Sequence, residues 1–428
     1  MKIFTKKLAS FAVGAALAGM TSGALAGGFA IGTQSGSGTG NAFAGGAAGA
    51  DDASVAWYNP AGMMLLPSGK QAAVALHALN PSFKFQNQGS TGAFASPPAS
   101  TNDGGDGGDW AFVPNAFFTM DINPKFRFGL ALNVPFGLKT EYDAGWRGQI
   151  TALKSEIKTV NINPSIAYNV GDRLSVGVGV SIQKIEAELS RFSGAGVVGN
   201  VILNADDVGY GYNFGLLFKA TPATRIGASY RSSIKYELEG TATGTGPLAV
   251  AAAGLNVGVK ADLRVPDSAS FSVFHQLNPK WELMGDITWT GWSSVQNLVV
   301  FRTAASGPAA AGSVLTTLPF LWDDTLRYSV GANYKFNANT KLRLGAALDE
   351  SPTNDVTRTP RLPDQERKWL AIGVQHRLSK AGVLDVGYAH EFIKDAAISA
   401  AEAGIPGRLN GSFTNKADIL SVQYSHSF

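Results

Sequence analysis

Acid–base or metal chemistry in this chain would have to come from five histidines: His77, His275, His376, His390 and His426. They are scattered, none pairs with another at i, i+4, and there is no cysteine to complete a zinc set. A lipid hydrolase built on His275, His376 or His390 would need a serine nucleophile nearby, and no nucleophile signature accompanies them. The acidic residues Asp51, Asp52, Asp349, Glu350, Asp355, Asp364 and Glu366 lack the spacing of a calcium loop. They read as solvated loops or as partners of Arg358, Arg361 and Arg367. Gly177-Val178-Gly179 lies inside a strand pattern and not at a helix start, so it does not cradle a phosphate. A net charge of +3 is too small to suggest nucleic acid. These residues predict no enzyme, no metal and no cofactor.

The elements that would position any site are of an unusual kind. Residues 1–26 read as a secretory signal: Lys2, Lys6 and Lys7, a short apolar run from Leu8 to Met20, and a small-x-small site at Ala24-Leu25-Ala26. Cleavage after Ala26 would leave Gly27 as the first residue, outside the cytoplasm. From about Lys70 onward, segments alternate with period two. Leu420, Val422, Tyr424 and Phe428 oppose Ser421, Gln423, Ser425 and Ser427, and Leu174, Val176, Val178, Val180 and Ile182 oppose Ser175, Gly177, Gly179, Ser181 and Gln183. One uniformly apolar face and one small, polar face on so many long strands fit a transmembrane barrel with lipid outside and a lumen inside.

The connections alternate too. Short turns such as Asn123-Pro124, Gly171-Asp172 and Asn278-Pro279 separate long Gly/Ala/Ser/Pro-rich stretches at roughly 87–109, 139–154, 192–206, 241–254, 302–322, 351–365 and 395–415. Tight periplasmic turns and long external loops are how outer-membrane barrels are built. The count predicts an all-β, 14-stranded antiparallel barrel over residues 68–428. Trp110, Trp281, Trp289, Trp292, Trp369 and Tyr388 would form its aromatic girdles. A barrel this wide passes water unless something fills it. Residues 27–67, rich in Gly, Ala and Ser, are assigned to that role as a hatch. A monomer in contact with outer-membrane lipid and lipopolysaccharide is the expected setting.

The hatch carries Gly27-Gly28-Phe29-Ala30-Ile31, then the run Gln34–Val55, then Asn59-Pro60-Ala61-Gly62-Met63. With Val113-Pro114-Asn115, Val134-Pro135-Phe136-Gly137-Leu138, Tyr230-Arg231-Ser232, Leu348–Pro352 and Pro363–Arg367, it resembles the FadL family of outer-membrane transporters for long-chain fatty acids and other hydrophobic compounds. The resemblance covers essentially the whole mature chain. It implies capture between external loops, transfer to a deeper pocket, and sideways exit where the third strand is kinked, here at Phe136-Gly137. It further implies that Asn59-Pro60-Ala61 anchors the hatch near that gap, that Phe29 helps line the deep pocket, and that Arg191 faces a substrate carboxylate. A salt bridge to Glu or Asp is the competing role for Arg191. A second cation expected before the tenth strand is absent, the stretch reading Leu321-Trp322-Asp323-Asp324. The ligand is therefore left as a fatty acid or a neutral aromatic or aliphatic hydrocarbon. A surface adhesin or phage receptor stays open as a role of another class.

Overall fold

A computed structural model describes residues 27–95, 102–193, 199–245 and 254–428; the expected signal segment 1–26 lies outside them. Fourteen antiparallel strands form one closed sheet. In chain order they are β1 (Lys70–Asn87), β2 (Ala111–Asn123), β3 (Phe126–Asn133, resuming at Gly137–Glu141), β4 (Lys154–Asn169), β5 (Leu174–Phe192), β6 (Asn200–Lys219) and β7 (Thr224–Arg231, resuming at Ile234–Gly244). There follow β8 (Val257–Val265, resuming at Ser268–Gln276), β9 (Trp281–Thr290, resuming at Asn297–Arg302), β10 (Val314–Pro319, resuming at Thr325–Lys335), β11 (Thr340–Asp349), β12 (Arg367–Arg377), β13 (Gly382–Ile393, resuming at Ala396–Glu402) and β14 (Ile405–Ser427). Closure comes from β1 pairing with β14, from Gln71↔Ser427 to Asn87↔Gly411. Backbone groups that lipid could not satisfy are thereby hydrogen-bonded around the ring.

The period-two pattern sorts as expected. Val74, Val180, Phe214, Ile372 and Val422 stand on the outside and are exposed, whereas Asn161, Ser165, Ser181, Asn333 and Gln423 point inward and are buried. Two features depart from the sequence reading. Several long connections are shorter than composition suggests: β5 runs to Phe192, β6 starts at Asn200, and Ala396 pairs with Phe413. At this end of the barrel the ladder continues, and outward positions turn from apolar to charged, as at Lys184, Glu186 and Asp206. Trp292 and Trp369 are not girdle residues either. Both are buried inside, at 1% exposure, against hatch side chains.

Residues 27–66 fill the lumen with two short helices, α1 (Gly36–Thr39) and α2 (Val55–Tyr58), and a 3-10 turn at Pro60–Leu65. The barrel wall receives this backbone at inward-facing glycines. A Cβ on Gly177 would lie 2.5 Å from the Ala61 nitrogen, one on Gly373 would lie 2.9 Å from Gly40 Cα, and one on Gly387 would lie 3.0 Å from the Gly40 nitrogen. Small wall positions thus set how closely hatch and barrel approach.

Candidate transport site: a plugged gap in the wall

The third strand breaks at Val134-Pro135-Phe136. Pro135 has no N–H to give a ladder, so the interruption falls where the sequence cannot continue it. Beyond the break, Gly137–Glu141 pairs with β4 (Gly137↔Lys158 to Glu141↔Lys154). On the other side, β2–β3 pairing reaches Ala116↔Leu132 and stops, so Ala111–Asn115 of β2 pairs only with β1. The result is a window between β2 and the upper half of β3, roofed by the Glu141 N–H donating to Gly107 O at 2.9 Å.

The hatch closes this window from within. Ala30 forms a bridge with Phe136. Ile31 N–H donates to Pro135 O (2.8 Å), and Gly137 N–H donates to Phe29 O (2.9 Å). Gln34 spans the opening: its Nε2 donates to Val134 O (2.9 Å), and its Oε1 accepts from Asn133 Nδ2 (2.7 Å). Asn115 Nδ2 donates to Gln34 O at 3.0 Å and sits 3.1 Å from His77 Nε2. With Nε2 accepting, His77 carries its proton on Nδ1, 2.6 Å from Ser421 Oγ. His77 is therefore a buried positioning group inside the wall and not a lipid-facing residue. Thr159 Oγ1 ties down the kink itself, donating to Phe136 O at 2.6 Å.

Phe29 sits in an aromatic nest beside the window. Its ring centroid lies 4.9 Å from Trp292, 5.6 Å from Trp322 and 5.8 Å from Phe136. Gly28, at φ +66, makes the bend that seats it, and a Cβ there would meet Trp292 at 2.8 Å. Below the nest is a cavity of about 210 Å³ bordered by Trp57, Tyr58, Phe136, Trp292, Arg231 and Arg327. Burial pushes the Tyr58 phenol above its ordinary value, so it stays neutral. Arg231 donates to Trp57 O (2.9 Å) and Ser181 Oγ (3.2 Å), lies 3.4 Å over the Trp57 ring, and makes no ion pair among the described residues. Arg327 is 3.8 Å from Asp349.

The expected carboxylate ligand Arg191 is elsewhere. It pairs with Glu402 at 2.9 Å, near Ile150 O, and does not border the cavity. Alternation put it on the lumen side, but the acid that neutralises it arrives from the distant β13. Asn59-Pro60-Ala61 does not sit against Phe136-Gly137 either. Asn59 Nδ2 donates to Ala47 O (2.6 Å) and to Leu216 O (3.0 Å), while Ser175 Oγ donates to Ala61 O (3.0 Å). The motif thus holds the hatch to β5 and β6. A second hold is ionic: Asp51 meets Arg343 at 2.8 Å and Lys341 at 3.3 Å. Burial opposes ionisation of Asp51, but the two cations outweigh it and keep its carboxyl below the usual carboxylate range. Gln34, Asn115, Trp292, Trp322 and Arg231 are the residues that sequence reasoning missed. Inward parity in β7 was a usable signal for Arg231; for the others no local pattern existed.

A closed barrel with a filled lumen and a plugged side window defines an outer-membrane transport protein. A family profile described as "Outer membrane protein transport protein (OMPP1/FadL/TodX)" matches residues 17–428, and the chain belongs to that family, whose members are transporters of hydrophobic compounds and not enzymes. A long-chain fatty acid transport protein of Salmonella typhi is 27% identical over 417 residues, covering 91% of this chain and 92% of its own. The crystal structure of a Pseudomonas aeruginosa FadL homologue superposes with a TM-score of 0.84 at 27% identity, covering 94% of this chain and 100% of that one. The Ralstonia pickettii toluene transporter TbuX shares the fold, with a TM-score of 0.67 at 20% identity over 92% of this chain and 98% of that one.

Proposed function

We propose that this protein carries long-chain fatty acids passively across the outer membrane, releasing them sideways through the β2–β3 window. The observation that carries this reading is the window itself, stoppered by Phe29–Gln34 and set beside an aromatic cavity. A hydrophobic solute gains about 25 cal/mol for each Å² of apolar surface kept from water, so an apolar pocket beside lipid is a better route than a wet pore. In this scheme external loops capture the ligand, Phe136 borders its path, Phe29, which does not itself border the cavity, seats the arm, Gly137 marks the kink, and Asn59-Pro60-Ala61 holds the rest of the hatch still while the arm moves. The carboxylate is assigned to Arg231 and not to Arg191, because Arg231 borders the cavity without an acidic partner, whereas Glu402 already occupies Arg191. The chain acts as a monomer in this reading, its apolar outer face covered by lipid and lipopolysaccharide.

Uptake of radiolabelled oleate, its methyl ester and toluene into proteoliposomes tests the scheme. Oleate should be preferred to the ester, and Arg231→Gln should abolish that preference. A charge-assisted hydrogen bond of about 1.5–3 kcal/mol sets the expected loss at about 10- to 100-fold in oleate affinity. Equal uptake of acid and ester by the unaltered protein would favour a neutral hydrocarbon substrate, and no flux of any of them would favour a receptor role.

A further inference from the structure

The first two described residues end in a buried nest of carboxylates. Gly28 N–H donates to Asp364 Oδ2 at 2.9 Å, and Gly27 lies beside Asp349. A Cβ on Gly27 would lie 2.7 Å from Glu350 O and 3.7 Å from Asp349 Oδ1, so the backbone itself is pressed into the site. Three side chains with carboxylates meet here: Asp349, Asp364 and Glu391, at 5%, 2% and 0% exposure. They face two guanidinium groups. Arg367 pairs with Asp364 and, at 3.1 Å, with Glu391, while Arg327 stands 3.8 Å from Asp349. Asp349 Oδ2 and Glu391 Oε1 have no hydrogen-bond partner. Three buried carboxyl groups face two guanidinium groups, which leaves one carboxyl without a cation of its own.

We propose that this nest is a binding site for a primary ammonium, and that its ligand is the α-ammonium created at Gly27 when the signal segment is removed after Ala26. An uncleaved peptide bond supplies one N–H and no charge. The cleaved terminus supplies three N–H donors and a third cation for the three carboxyl groups, at a residue that already lies beside Asp349. Proteolytic maturation then completes the ion cluster, and the completed cluster seats the Phe29 arm over the window. Transport competence and processing are linked by one charge. This goes beyond the transport reading and rests on the cleavage position given above.

The test uses the full protein purified from outer membranes in detergent. At pH 7 a free α-amine (pKa about 7.7–8.0) is acylated by an N-hydroxysuccinimide ester, while lysines (about 10.4) are largely protected. Mass spectrometry of the N-terminal peptide reads the rate in folded and heat-unfolded protein. Raising the pH to 9 in the folded state should leave labelling suppressed at least about tenfold relative to a free α-amine, because the facing carboxylates of Asp349, Asp364 and Glu391 hold the proton against the repulsion of Arg327 and Arg367. Asp349→Asn preserves shape and removes charge, so acceleration of about tenfold in that variant reports the ion pair and not simple burial. Folded-state labelling at pH 9 as fast as in unfolded protein overturns the proposal, with no variant needed. A terminus other than Gly27 overturns it too, by removing the cleavage reading while leaving the transport scheme intact.

Discussion

Replacing Phe29 by alanine should free the arm without harming the barrel. The ring is buried and makes edge or tilted contacts with Trp292, Phe136 and Trp322 at 4.9, 5.8 and 5.6 Å. Removing a buried Phe side chain costs about 3–5 kcal/mol, of which each aromatic pair accounts for about 0.5–1.5 kcal/mol. The Phe29 ring takes no part in strand pairing, and its segment joins the ladder through the Ala30–Phe136 bridge and its flanking hydrogen bonds. The loss therefore falls on the equilibrium between the seated and released arm, not on strand pairing. At about 1.4 kcal/mol per tenfold, 3 kcal/mol shifts that equilibrium by about 100-fold. Amide hydrogen exchange at Ile31 and Gly137, whose N–H groups close the window, reads the shift directly. Their exchange should quicken by about two orders of magnitude in Phe29→Ala, while heat-modified migration of the barrel on gels stays at its normal temperature. Unchanged exchange at both amides would refute the idea that the aromatic nest holds the stopper.

Two further outcomes follow from the holds on the rest of the hatch. Asn59→Ala leaves the Ala47 and Leu216 carbonyls without the Asn59 donor and removes the Ala61 N–H acceptor. At about 1–3 kcal/mol for each buried group left unsatisfied, hatch protection against exchange should fall sharply and oleate uptake should drop while the barrel still assembles; uptake at the normal rate would show the motif to be dispensable. Because the Asp51 carboxyl is depressed, its contribution is complete above the unfolded value of about 3.9 and disappears only as pH falls through the lower folded value. Exchange of hatch amides near Asp51 should thus be unaltered by its titration between pH 5 and 8, and a midpoint for loss of the hatch within that window would contradict the ion-pair assignment.

Much of the architecture was legible because alternation is local. Ser421, Gln423 and Ser425 against Leu420, Val422 and Tyr424 need no knowledge of their neighbours to announce one wet and one greasy face. The kink at Phe136-Gly137 was placed by the family resemblance and not by alternation, and the structure adds that Pro135, which cannot donate, stands at the break. Strand ends beside the long connections were less legible, because water satisfies a loop as well as a ladder satisfies a strand, and Gly/Ala-rich stretches permit both.

What could not be read was pairing across the lumen. The chain by itself determined the barrel, its short turns, the presence of an N-terminal filler, and an arginine facing inward at 191. The tertiary structure alone decided that Glu402 neutralises this arginine, that Asn59-Pro60-Ala61 grips β5 and β6 instead of the kink, and that Phe29–Gln34 stoppers the window. The physical reason is range. Parity and turn chemistry act over a few residues, whereas the partner of a buried charge or ring depends on which strands closure brings opposite one another. Arg191 is 211 positions from its carboxylate and Phe29 is 263 from Trp292, distances over which no sequence period carries information.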